Sequence, residues 1–94
     1  MELNVMTKEQ VSEIIIALIN KHFAYKQIKL SKDSVHTAFT DANIRLTPSD
    51  MFALYYLVCN EFNCDFKLDK NSIDAFWNVD KLSDYVCEYL NSCM

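Results

Sequence analysis

Cysteine and histidine side chains are the groups in this sequence that could bind a metal ion or act as nucleophiles. The four cysteines are Cys59, Cys64, Cys87 and Cys93, and the two histidines are His22 and His36. The cysteine spacings do not match the C-x2-C pairs of structural zinc sites, and the histidines stand in no ligand or nucleophile pattern. Without a secretion signal, a cysteine is most often a small core residue with a free thiol. We therefore expect free thiols and no metal.

Patterns for catalysis and for cofactor binding are also missing. No carboxylate pair, Ser-His-Asp set or Cys-His set stands at a diagnostic spacing, so we expect no enzyme activity. The sequence contains no glycine, which excludes Gly-rich phosphate loops and the dinucleotide fingerprint. The formal net charge is −4 and the lysines are scattered, which argues against a nucleic-acid partner. The apolar run from Ile14 to Ile19 is too short to span a bilayer, so we expect a cytoplasmic protein.

The first element that could position functional side chains is a helix predicted over residues 7–23. Thr7 and Gln10 form the pattern of a capping box, with Met6 and Val11 as a hydrophobic staple. Apolar residues then recur at the spacing of one buried helix face. These residues are Val11, Ile14, Ile15, Leu18 and Ile19.

A second helix is predicted over residues 47–62. Thr47 fits the N-cap, Pro48 fits the first helical position, and the carboxylate of Asp50 favours the positive helix end. Leu46 and Met51 can form the staple, and Asn63 can end the helix. The predicted buried face consists of Met51, Leu54, Tyr55, Val58 and Phe62.

The last predicted helix covers residues 78–91, with Asn78 as its cap and Trp77 and Leu82 as its staple. Residues 69–76 allow one short helix before it. No segment alternates with period two, so the sequence predicts a single all-α domain over residues 1–94. Residues 24–46 form a long connection, which we expect to be pinned to the bundle. The pinning residues would be Val35, Phe39 and Ile44.

The order of these elements resembles the acyl carrier protein family, in which a long first loop precedes a capped helix, a short helix and a final helix. The resemblance lies in the second helix, which ends in Asn60-Glu61-Phe62, and in the last helix, where Asn78-Val79 and Leu82 precede Asp84-Tyr85-Val86. It implies a four-helix bundle with a long first loop and a short third helix.

Carriers of this family hold a phosphopantetheine arm on a serine at the start of their second helix. Aligned back from Phe62 without a gap, that serine falls on Pro48, which has no hydroxyl, so we expect no cofactor. A one-residue gap would place Ser49 there instead, rotated by about 100° around the helix. Ser49 therefore remains an alternative attachment site, although serine is also common at helix starts. The chain is similar to serine-less, carrier-like bacterial proteins of peptide-maturation systems.

The outer face of the second helix also departs from the resemblance, which implies acidic side chains there. The corresponding residues are Ser49, Phe52, Ala53, Tyr56, Cys59 and Asn60. This apolar face predicts a protein-docking module, as a monomer or weak homodimer. The resemblance implies that such a module acts in a biosynthetic or peptide-modification system. Alternatively, the first loop covers Phe52 and Tyr56. A small helical protein of the bacteriocin-immunity type is the other alternative.

Overall fold

Four α-helices and two short 3-10 helices, Ala24–Lys26 and Lys32–Ser34, form the regular structure of the described residues. The computed structural model describes residues 7–42, 44–64 and 69–92. Within these ranges there is no strand, which confirms the all-α prediction. Each helix begins and ends within one residue of its predicted bounds. The helices are α1 (Lys8–His22), α2 (Pro48–Phe62), α3 (Lys70–Ala75) and α4 (Val79–Ser92).

The helix starts are fixed by side-chain caps, largely as the sequence predicts. Thr7 and Gln10 form the predicted capping box of α1. Asp50 does more than favour the helix dipole, because its carboxylate accepts the Thr47 amide and so completes a second capping box. A third box starts α3, and the side chain of Asn78 accepts the amide of Lys81 at the start of α4.

The structure tests the hydrophobic staples predicted for α2 and α4 and the residue predicted to end α2. Leu46 is buried and Met51 half-buried, as expected for the staple of α2. The predicted Trp77 staple is wrong, since Trp77 is 52% exposed and Leu82 is buried without it. Asn63 ends α2 in the left-handed conformation with φ of 53°. Met6 lies outside the described residues.

The core lies between α1, α2 and α4, and α1 packs most extensively against α4. One polar contact crosses that interface, where the hydroxyl of Ser12 lies 2.8 Å from the hydroxyl of the fully buried Ser83. At the interface's edge, the ammonium of Lys8 contacts Asp80 and Asp84. Eight aliphatic side chains from the three helices have no exposed surface: Val11, Ile15, Ile19, Leu54, Val58, Val79, Leu82 and Val86.

The long connection between α1 and α2 is pinned as predicted. Phe39 and Ile44 are buried, and Val35 is half-buried against the core. Backbone hydrogen bonds join the Phe39 amide to the Trp77 carbonyl at 2.8 Å and the Asp80 amide to the Val35 carbonyl at 2.9 Å. The connection is therefore attached to the junction of α3 and α4.

The longest helices of the described residues are too short for a membrane span. α1 and α2 have 15 residues each, and no helix in the described part of the chain meets the length and hydropathy that crossing a bilayer requires.

Candidate docking face on helix α2

Two aromatic side chains project from the outer side of α2. Phe52 is 57% exposed and Tyr56 is 70% exposed, so the connection does not cover them. They stand four residues apart and therefore lie on the same side of the helix, one turn from each other. Leu54 and Val58 occupy the buried face and have no exposed surface. One helix thus has a packed apolar face and an open one.

The other predicted members of this face divide into two groups. Ser49 and Asn60 are exposed and lie toward the two ends of the helix. Cys59 differs from expectation, because it is half-buried and packs against the core. Since Cys59 follows Tyr55 by four residues, it belongs to the edge of the buried face. The open face therefore consists of Phe52 and Tyr56, with Ser49 and Asn60 at its polar ends.

An apolar groove of about 400 Å³ begins beside Phe52. Its walls come from the start of α2, from α3 and from the connection before α2. The rings of Tyr55 and Phe76 lie at its side with centroids 6.3 Å apart. The lining residues are Thr40, Leu46, Pro48, Met51, Phe52, Tyr55, Ile73 and Phe76.

Two further exposed apolar side chains, which the sequence did not predict as site residues, lie at the far wall of the groove and just beyond it. Ile73 is 60% exposed and Trp77 is 52% exposed, again four residues apart. Ile73 lines the groove and also a shallow hollow that it shares with Trp77. The exposed apolar surface therefore extends from Tyr56 and Phe52 across the groove to Ile73 and Trp77. No local pattern in the sequence predicts this extension, because only tertiary packing brings α3 beside Phe52.

The opposite side of the α2 start holds a charged network that sequence reasoning also missed. The Lys26 ammonium lies 2.6 Å from the Asp50 carboxylate and donates to the Arg45 carbonyl at 2.9 Å. Arg45 returns a hydrogen bond to the Lys26 carbonyl at 2.7 Å, and the Tyr25 hydroxyl donates to Asp50 at 3.3 Å. These contacts join residues 19 to 25 positions apart in the sequence, so no local sequence pattern predicts them.

The carboxyl group of Asp50 is the strongly perturbed titratable group of this network. Burial raises the pKa of Asp50, but the hydrogen bond from Lys26 and those from Thr47 outweigh burial and lower that pKa to about 2. Asp50 is therefore a carboxylate at neutral pH. It occupies the positive end of α2 with its own charge.

The two residues that the resemblance aligns with the carrier serine, Pro48 and Ser49, lie at the start of α2. Pro48 is the first residue of α2, exposed, and lines the groove. Ser49 follows and is exposed to solvent. The described part of the chain shows no group of three or more His, Cys, Asp or Glu side chains suited to a metal ion.

Comparison with protein-family models, with curated proteins and with solved structures finds no match to this chain. A functional conclusion must therefore rest on the geometry and the chemistry of its surface.

Proposed function

We propose that this chain is a non-enzymatic docking domain whose protein partner binds the open face of α2. The observation that carries the proposal is the exposure of Phe52 and Tyr56, at 57% and 70%, on a helix whose opposite face is fully packed. Exposed aromatic side chains with polar residues at the ends of their patch are typical of binding hot spots. Ser49 and Asn60 supply those polar ends.

The two rings offer enough apolar area to anchor a partner. An aromatic side chain buries roughly 150–250 Å² when it is fully covered. At the observed exposures, Phe52 and Tyr56 together present on the order of 250 Å². At about 25 cal/mol per Å², covering them would contribute about 6 kcal/mol, before the loss of rotational and translational freedom is subtracted.

Few charged side chains lie on this face, and this determines how strongly binding should depend on salt. The nearest acidic residue of the helix start, Asp50, is buried and paired with Lys26. Association through uncharged aromatic side chains depends little on ionic strength, whereas docking through surface charges is screened by salt. We therefore propose a partner that is recognised by apolar contact.

The resemblance to acyl carrier proteins adds a context to this proposal. The chain keeps the carrier order of elements but has Pro48 in place of the serine that bears phosphopantetheine. We propose a cytoplasmic, carrier-like bacterial domain that brings together components of a biosynthetic or peptide-modification system without carrying cargo. This context rests on the resemblance alone.

The test is affinity capture from lysate of the source cells, followed by quantitative mass spectrometry. Wild-type protein is compared with a variant that combines Phe52→Ala and Tyr56→Ala. Tyr25→Ala is the matched control, since Tyr25 is 72% exposed and contacts Asp50 on the opposite side of α2. The proposal predicts proteins that are captured by the wild type and the control but not by the double variant.

A second candidate is a true carrier modified at Ser49. The observation in its favour is that Ser49 is exposed at the second position of α2. Against it, the neighbouring Asp50 carboxylate already occupies the positive helix end that would favour a phosphate. Modification of the wild type, abolished by Ser49→Ala, would establish this candidate.

A further inference from the structure

We propose that the groove between α2 and α3 binds an amphipathic helix of the partner protein. This inference rests on the proposed function, because Phe52 belongs both to the open face and to the groove. It goes beyond that function by naming the second wall of the site, Ile73 on α3, and the kind of segment that fills the space between the walls.

Two apolar ridges flank the groove. One consists of Phe52 and Tyr56 on α2, and the other of Ile73 and Trp77 at α3 and just after it. Phe52 and Tyr56 are four residues apart on α2, so their ridge is one helical turn long. Trp77 lies two residues after the end of α3 and extends the second ridge beyond that helix. Between them lies the space of about 400 Å³, which is large enough for several apolar side chains.

The chemistry of the lining selects a helix over an extended segment. Six of the described lining residues are apolar, Thr40 and Tyr55 add hydroxyl groups, and none carries a charge. An extended peptide would bury backbone N–H and C=O groups against these walls without partners, which is costly. A helix pairs those groups internally and presents apolar side chains. The described residues also contain no strand edge on which a peptide strand could pair.

The short α3 limits how much of a helix the groove can hold. Its six residues span about 9 Å, which corresponds to between one and two turns of a docked helix. The bound segment should therefore provide two principal anchors, three or four residues apart. Residues beyond them would lie outside the groove.

A second copy of this chain is a poorer occupant. A two-fold symmetric interface places the same patch on both partners, so each copy could offer only this one small surface. Each copy also carries a net charge of −4, which opposes association. The four ridge residues expose on the order of 500 Å², below the roughly 800 Å² per partner of a stable dimer. That area suits a two-turn helix.

Site-specific photo-crosslinking in the source cells tests this inference. The crosslinking amino acid p-benzoylphenylalanine replaces Ile73, Phe52 or Tyr56 in turn, and Tyr25 serves as the control position. The expected result is that crosslinks from Ile73 and Phe52 fall on one segment of one other protein, at sites within two helical turns of each other. The control should give no crosslink to that segment.

The outcomes separate this inference from the proposed function. Crosslinks from Tyr56 but none from Ile73 would overturn the groove as a site while leaving docking on α2 in place. Absence of crosslinks from all three positions would overturn both proposals. Crosslinks to a second copy of this chain, or to a small apolar molecule, would overturn the partner helix.

A synthetic peptide of the crosslinked segment then tests its conformation and its contact with α3. Ile73→Asp should weaken peptide binding at least tenfold, whereas the adjacent control Asp74→Asn should leave it within twofold. A proline in the middle of the peptide should abolish binding, because proline breaks a helix but is tolerated in an extended chain. Unchanged binding of the proline peptide, or of the Ile73→Asp variant, would contradict the inference.

Discussion

The Lys26 ammonium lies 2.6 Å from the Asp50 carboxylate and fastens the connection to one side of the α2 start. Phe52 follows Asp50 by two residues and therefore points about 200° away around the helix. Arg45, which exchanges hydrogen bonds with Lys26, holds the chain on the same side just before α2 begins. The network thus explains why the connection leaves Phe52 and Tyr56 uncovered.

Lys26→Met should destabilise the fold, because it leaves the buried Asp50 carboxylate without its cation. Side-chain exposure is 20% for Lys26 and 11% for Asp50, so solvent compensates little. We expect a loss of about 1.5–3 kcal/mol in the free energy of unfolding, measured by urea denaturation. Lys32→Met is the control, since its contact with Glu13 at 3.7 Å is largely exposed and should matter by less than about 0.5 kcal/mol. Equal effects of the two changes would contradict the role of the network.

The same pair predicts how stability depends on pH. The pKa of Asp50 is about 2 in the folded protein, below the ordinary value near 4 of an unfolded chain. The ionised carboxylate therefore stabilises the fold above about pH 4, and this contribution is lost as the pH falls toward 2. Asp50→Asn should be less stable than the wild type at pH 7, and the difference should shrink between pH 4 and pH 2. A difference that stays constant over this range would contradict the assignment.

Core truncations should separate the buried face of α2 from its open face. Leu54 has no exposed surface, so Leu54→Ala should reduce the free energy of unfolding by about 2–5 kcal/mol. Tyr85 on α4 packs against the core but is only half-buried, hence Tyr85→Ala should be less damaging than Leu54→Ala. Denaturant melts of both variants would show this order. Neutral behaviour of Leu54→Ala would refute the core assignment.

Local signals in the sequence account for much of the fold. Capping at Thr7, Thr47 and Asn78 and the apolar stripes that follow predict helices that the structure contains. These interactions join residues a few positions apart, so each of them can be predicted from the sequence of a single segment. The exposure of Trp77 could not be read in this way, because it depends on how the connection packs at the α3–α4 junction.

The candidate site, like the fold, has some features that the sequence predicts and others that depend on tertiary contacts. Phe52 and Tyr56 were predictable as a second apolar face, because a small domain buries one face of a helix more easily than two. Whether the connection would cover that face was open in the sequence. The answer depends on Lys26 reaching Asp50, a contact between residues 24 positions apart. Ile73 joins the site for a similar reason, since only tertiary packing brings α3 beside Phe52.

The resemblance to carriers aligns their modified serine with Pro48, so it predicts that the protein stays without cargo. Incubation with a broad-specificity phosphopantetheinyl transferase and coenzyme A should leave its intact mass unchanged. Pro48→Ser, alone or with Ser49→Leu, would place a serine at the exposed helix start where the resemblance to carriers implies one, and we expect this variant to gain one arm. A mass increase of the wild type that disappears in Ser49→Ala would show that Ser49 is the attachment site.

The most direct test of docking on α2 measures stability and partner capture on the same double variant, Phe52→Ala with Tyr56→Ala. Truncation of exposed rings should lower the free energy of unfolding by no more than about 1 kcal/mol, the value of the Tyr55–Tyr56 ring contact at 5.6 Å. We predict that this variant melts almost as the wild type does and captures none of the partner. Retained capture, or a stability loss as large as that of Leu54→Ala, would contradict docking through these two residues.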